Sequence, residues 1–241
     1  MREYLLPYLL LMAHFISGGL WLIRITGKLE PEEAKQQWIK YLTYLLLVNL
    51  LWSCMLWART IFPFVGWTIL LLAWFEWGRA VKHLRNKIGL IFAFLLISGA
   101  FAGFVSMDTN ILLFTYFVVV LFDGSCQVVG QLLGKRSLFS KISPKKTVEG
   151  LLGGSIITLA TALLTRHSFA FGWGELILRT SMLMAAAATG DLLASAVKRS
   201  VHLASFGRML PGHGGILDRF DSLMLAGALT FLFAEVQNWI R

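Results

Sequence analysis

Residues 111-ILLFTYFVVVLFDGSCQVVGQ-131 form an apolar run long enough to cross a hydrocarbon layer, with one carboxylate, Asp123, set inside it. About 20 residues of helix span a bilayer core, and a helix satisfies its own backbone polar groups, as lipid requires. An unpaired charge at that depth is costly, so Asp123 is expected to face a polar cavity, a metal or a cationic partner.

Comparable runs occur at 4–23, 41–58, 61–78, 88–106, 149–165, 176–196 and 221–239. Composition agrees, with 57% hydrophobic and only 15% charged residues and a mean hydropathy of +0.70. These values exclude an ordinary soluble domain. The expected fold is all-α: a polytopic integral membrane protein of about eight transmembrane helices with a cytoplasm-facing polar site. Asp123 and Asp191 could mark broken or tilted helices. Arg24 and Lys28 directly follow the first run and no small-residue cleavage site does, so it reads as a retained helix. Cys54 and Cys126 fall inside apolar segments and read as packing residues.

The net charge of +9 is distributed by side rather than as a nucleic-acid surface. Of 22 Lys and Arg, 17 fall in alternate connections: around 24–40, 79–87, 135–146 and 198–219. The positive-inside bias puts those connections in the cytoplasm and both termini outside. That pattern suits a multi-pass protein of a cell membrane, such as a bacterial inner membrane, and no nucleic-acid partner. Residues 1–110 read as packing and anchoring helices and residues 111–241 as the part carrying the chemistry, together one membrane domain. Within the first part, 29-LEPEEAKQQWIK-40 looks like a short interfacial helix.

Three polar constellations lie on the cytoplasmic side. In the first, Asp123 is followed by Ser143, Pro144, Lys145, Lys146 and Thr147, a basic turn leading into a helix near Glu149. Cations and free N–H groups at a helix start suit a phosphate, although a solvated loop touching anionic headgroups is an equal reading. In the second, Asp191 and Ser195 share a helix face, with Lys198 and Arg199 beyond. They could line a metal site or form an interhelical polar contact. In the third, Pro211, Gly212, Gly214 and Gly215 build a turn whose backbone can approach a ligand. Asp218 and Asp221 follow at i, i+3, a spacing that presents carboxylates to a divalent cation and Arg219 to a phosphate. Asp is also a good residue at a helix start, and His213 in a glycine turn is more often a hydrogen-bonding residue than a metal ligand.

Together, S-x-x-K-R at 195–199, H-G-G-I-x-D-R-F-D at 213–221, S-P-K-K-T-x-E-G at 143–150 and G-D-L at 190–192 resemble the phosphatidate cytidylyltransferase (CDP-diacylglycerol synthase) family. The resemblance covers residues 123 to 222. It implies a homodimeric membrane nucleotidyltransferase of phospholipid biosynthesis, using CTP and Mg2+, with or without a second cation, to turn phosphatidic acid into CDP-diacylglycerol and pyrophosphate. By the same resemblance, Asp191 and Asp218 match metal-site aspartates. Lys145, Lys146, Lys198, Arg199, His213 and Arg219 match phosphate-holding positions, and Asp123, Gly130, Gly134 and Lys135 fit further motif spacing. The chain departs from the pattern at Gln127, Ala194, Ala204 and Ser205, where the family has Tyr, Glu, Lys and Asp. Two other readings stay open: a CTP-using enzyme acting on another lipid, whether a lipid-phosphate cytidylyltransferase or a polyprenol or phytol kinase-like protein, and a non-catalytic membrane protein of the same fold.

Overall fold

The computed structural model describes residues 2–82, 84, 87–210 and 214–240. Among the described residues, eight long helices occupy the eight expected places: α1 (Leu5–Thr26), α2 (Pro31–Trp57), α3 (Phe62–Val81), α4 (Lys87–Phe104), α5 (Thr109–Leu133), α6 (Val148–Leu164), α8 (Trp173–Ser200) and α9 (Leu217–Ile240). A single turn, α7 (Arg166–Phe169), joins α6 to α8. Among the described residues, six helices are long and apolar enough to cross a membrane, namely α1, α2, α4, α5, α8 and α9. Large side chains such as Leu20, Leu46, Leu71 and Ile156 lie more than 60% exposed, the surface that lipid rather than water covers. The chain is an all-α, polytopic integral membrane protein.

Three local expectations are corrected. Residues 31–40 are not a separate interfacial helix but the first turns of α2, which starts at Pro31 after an extended Glu30 and carries Glu32 and Glu33 in its first turn. Proline at the first helical position and acids beside the helix dipole's positive end favour that start, and the chain continues without a break to Trp57. The basic stretch before α6 is not a turn. It is strand β2 (Ser143–Thr147), paired antiparallel with β1 (Ser137–Phe139). Finally, neither Asp123 nor Asp191 interrupts its helix, since α5 and α8 run through both.

Helix α5 is the axis of the bundle. Every residue from Leu112 to Phe122 is buried, and α1, α2, α6, α8 and α9 all pack against it. A helix apolar on all sides is stable only where other helices enclose it. The buried stretch ends at Asp123, so α5 delivers that carboxylate into the bundle close to the connections at one end. Away from α5, α4 packs along α9, with α3 against α4.

Helix α6 lies so close to α5 that side chains are missing at the contact. A Cβ on Gly150 would come 2.7 Å from the carbonyl oxygen of Cys126, and one on Gly154 would come 2.7 Å from the Cys126 nitrogen. Small residues four apart let membrane helices reach this separation. Gly154→Val should therefore lower stability by about 1–3 kcal/mol through overpacking. The measurement is the unfolding temperature in detergent, and an unchanged value would contradict the close crossing.

Candidate active site

Among the described residues, the carboxylates named from the sequence and the lysines that pair with them gather at the end of the bundle where α3, α5 and α8 finish and α6 and α9 begin. Asp218, the second residue of α9, is buried at 9% exposure. Its Oδ1 accepts a hydrogen bond from Lys198 Nζ at 2.6 Å. Its Oδ2 accepts from the backbone N–H of Phe206 at 2.8 Å and of Gly215 at 3.0 Å. Lys198 also stands 5.3 Å over the Phe206 ring, so the cation meets both a carboxylate and an aromatic face.

Asp191 forms the second pair. Its Oδ1 accepts from Ser195 Oγ at 3.2 Å, as the i, i+4 spacing predicts, and its Oδ2 pairs with Lys146. The strand explains how Lys146 arrives there, because alternate side chains point to opposite faces: Lys145 is exposed while Lys146 turns inward. Three contacts fix the hairpin. Thr147 Oγ1 caps α6 by accepting from Gly150 N–H. Glu149 Oε2 accepts from the N–H groups of Lys135 and Arg136 at 3.0 and 3.2 Å. Arg199 donates from Nε to the Ile142 carbonyl at 3.3 Å. Thr147, Glu149 and Arg199 thus build the frame around Lys146, and Ser143 opens the strand.

Asp123, from α5, lies beside Ser222 and within electrostatic reach of Asp191, Lys146 and Arg219. Asp221 shares that neighbourhood with Asp191, Lys198 and Asp123. Helices α8 and α9 approach closely enough for this because residue 190 is glycine: a Cβ there would lie 2.6 Å from the Asp221 carbonyl oxygen. Four carboxylates from three helices therefore share one polar region with Lys146, Lys198 and Arg219. At the loop, Gly214 has φ +85°, a conformation that favours glycine, and Leu210 N–H donates to its carbonyl. His213, with Pro211 and Gly212, lies outside the described residues.

One residue of this region was missed in the sequence. Glu76, on α3, is 2% exposed and accepts the N–H groups of Ile216 and Leu217 at 3.1 and 2.8 Å. The signal was present: a carboxylate inside the apolar run 74-WFEW-77, the same anomaly as Asp123.

The cytidylyltransferase family model matches residues 9–237, nearly the whole chain. This chain belongs to the cytidylyltransferase family. Its relatives include proteins named phosphatidate cytidylyltransferase from Staphylococcus saprophyticus, 41% identical over 143 residues, and Staphylococcus haemolyticus, 39% identical over 142 residues. A third, from Staphylococcus aureus, is 37% identical over 142 residues. Each match spans 55% of this chain and 55% of the relative. Within this cytidylyltransferase-family chain, the two lysine–carboxylate pairs differ in depth. Side-chain exposures are 13% and 5% for Lys198 and Asp218, against 30% and 31% for Lys146 and Asp191.

Depth decides the energetics. Removing one partner of a buried pair costs about 3–5 kcal/mol because the other charge is left uncompensated, whereas solvated pairs contribute about 0–1 kcal/mol. Lys198→Met should accordingly destabilise the protein more than Lys146→Met, and adding Asp218→Asn to Lys198→Met should recover part of the loss. Thermal unfolding of the single and double variants measures this coupling. Equal effects of the two lysine variants would show that burial does not govern the pairs.

Proposed function

We propose that the chain transfers the cytidylyl group of CTP to phosphatidic acid, giving CDP-diacylglycerol and pyrophosphate. The observation that carries the reading is the gathering of Asp123, Asp191, Asp218 and Asp221 with Lys146 and Lys198 at one end of a lipid-embedded bundle, in a chain of the cytidylyltransferase family. Chemistry of this kind belongs at such a place, where one substrate arrives from water and the other from the bilayer. A phosphomonoester has a second pKa of about 6, so the lipid phosphate is largely dianionic at neutral pH and needs no general base. Its oxygen attacks the α-phosphorus of CTP, the bond from that phosphorus to the bridging oxygen breaks, and pyrophosphate leaves. The obstacle is repulsion between two anions. Lys146 and Lys198, with Arg199 and Arg219 nearby, supply positive charge where it is needed.

By the family resemblance Asp191 and Asp218 are the residues that would hold a divalent cation: Asp191, a third exposed, has room for one beside Lys146, whereas Asp218 would have to give up its bond from Lys198 to take part. All donors are carboxylate oxygens. Among the described residues no group of three or more His, Cys, Asp and Glu is placed to hold a metal, and Mg2+ is usually bound by one or two carboxylates plus substrate phosphates. Bound there, Mg2+ would supply Lewis-acid stabilisation of the transferring phosphoryl group. The charge bias supports a cytoplasmic site, and a homodimer in the cell membrane is part of the same proposal, carried by the family resemblance. Ala204 and Ser205, at the family's Lys and Asp positions, line an open cavity of about 560 Å³ with Arg79 and Arg208. The loss of that charged pair leaves a second reading, a different phosphorylated lipid as acceptor.

Purified protein given CTP, Mg2+ and phosphatidic acid should yield CDP-diacylglycerol, identified by mass, with pyrophosphate rather than CDP released. Absence of that lipid product with several phosphorylated lipids would sink the proposal. Asp191→Asn should abolish turnover while leaving a folded protein, because an amide cannot replace an anionic ligand to a hard cation; Asp218→Asn should abolish it too, with the loss of stability expected when Lys198 is left buried without its partner. Near-normal activity of either variant at limiting Mg2+ would remove its metal role.

Sidedness is tested separately. Single cysteines at positions 140 and 200, in a background lacking Cys54 and Cys126, should both resist an impermeant thiol reagent added outside intact cells. Labelling of one position alone would break the shared cytoplasmic site.

A further inference from the structure

Glu76 lies on α3, far in sequence from the motif-bearing stretch 123–222, and its carboxylate is enclosed. Among the described residues it forms no ion pair with Lys or Arg. What compensates it is backbone: Ile216 donates to Oε1 and Leu217 to Oε2, at the positive end of the α9 dipole. Gly207 and Gly215 crowd the same carboxylate, since a Cβ on Gly215 would come 2.6 Å from Oε1 and one on Gly207 would collide with that atom. The neighbouring Trp77 ring stands 6.0 Å from Phe206.

The two buried carboxylates divide one short segment between them. Asp218 takes the N–H groups of Phe206 and Gly215, and Glu76 takes those of the next two residues, Ile216 and Leu217. Release of the segment from Glu76 would free the first turn of α9, and with it the orientation of Asp218. We propose that Glu76 is a positioning residue of the active site: from a different helix, it anchors Ile216, Leu217 and the start of α9 so that Asp218 stays paired with Lys198 in the polar region. The inference rests on the cytidylyltransferase reading for its kinetic consequence but not for its structural one.

Glu76→Gln preserves size while setting an amide donor against one of the two N–H groups. Hydrogen bonds to charged groups are worth enough that kcat should fall about tenfold to a hundredfold, with KM for phosphatidic acid near the wild-type value and the Mg2+ needed for half-maximal rate increased. Hydrogen exchange followed by mass spectrometry should quicken in peptides from 203–210 and 214–220 and stay unchanged in the α5 core. Gly215→Ala leaves the carboxylate in place but pushes a methyl group into it, so it should reproduce both effects and serves if Glu76→Gln does not fold.

Wild-type kcat, Mg2+ dependence and exchange in the folded variants would overturn the inference. So would a loss of activity accompanied by uniformly faster exchange and a lower unfolding temperature, the mark of a residue that only supports the bundle. If the wild-type protein makes no CDP-lipid, the functional reading fails by itself, and local against uniform exchange still decides whether Glu76 positions Asp218.

Discussion

A carboxylate that leaves water must find donors, and Asp218 finds three. Its two oxygens receive Lys198 from α8, Phe206 from the loop and Gly215 from the approach to α9. Each donor belongs to a different part of the chain, so satisfying one buried charge locks the end of one helix, the start of another and the loop between them. Glu76 repeats the device from α3. The low-dielectric surroundings that make an unpartnered carboxylate costly also make these bonds strong, which is how Phe206 and residues 215–217 are held beside a lipid-embedded bundle.

The Lys146–Asp191 pair works under different terms. Both side chains are about a third exposed, so water shares their charge and the pair is easier to open. Its placement depends on the hairpin, which Glu149, Thr147 and Arg199 tie to α6 and α8. The site thus combines a deep, tightly held half around Asp218 with a shallower half around Asp191.

Much of this was written in the sequence because the bilayer imposes a length rule on apolar runs. All eight long helices fell where the runs predicted, and the carboxylates that broke apolar patterning, Asp123 and Asp191, proved to stand in the polar region. Where the reading failed, local pattern and tertiary context diverged. The acidic opening of α2 was read as a separate element because its charges mask helix continuity, and the SPKKT stretch was read as a turn because Pro144 and two lysines resemble one. Only pairing with Ser137–Phe139 makes it a strand.

What sequence alone determined was the class of the protein, the places of its long helices, the family motifs and the end of the bundle on which charge collects, all consequences of the bilayer's demand on composition and of residue type at fixed spacing. Tertiary structure alone decided who pairs with whom. Lys198 could have matched Asp191, seven residues away on the same helix, yet it bonds Asp218 across the loop, while Lys146 crosses from the hairpin to Asp191. Glu76 meets backbone groups 140 and 141 residues further along. Such pairings depend on which helices pack side by side, and close packing is set by the shapes of all the contacting faces together, information that no single stretch of chain contains.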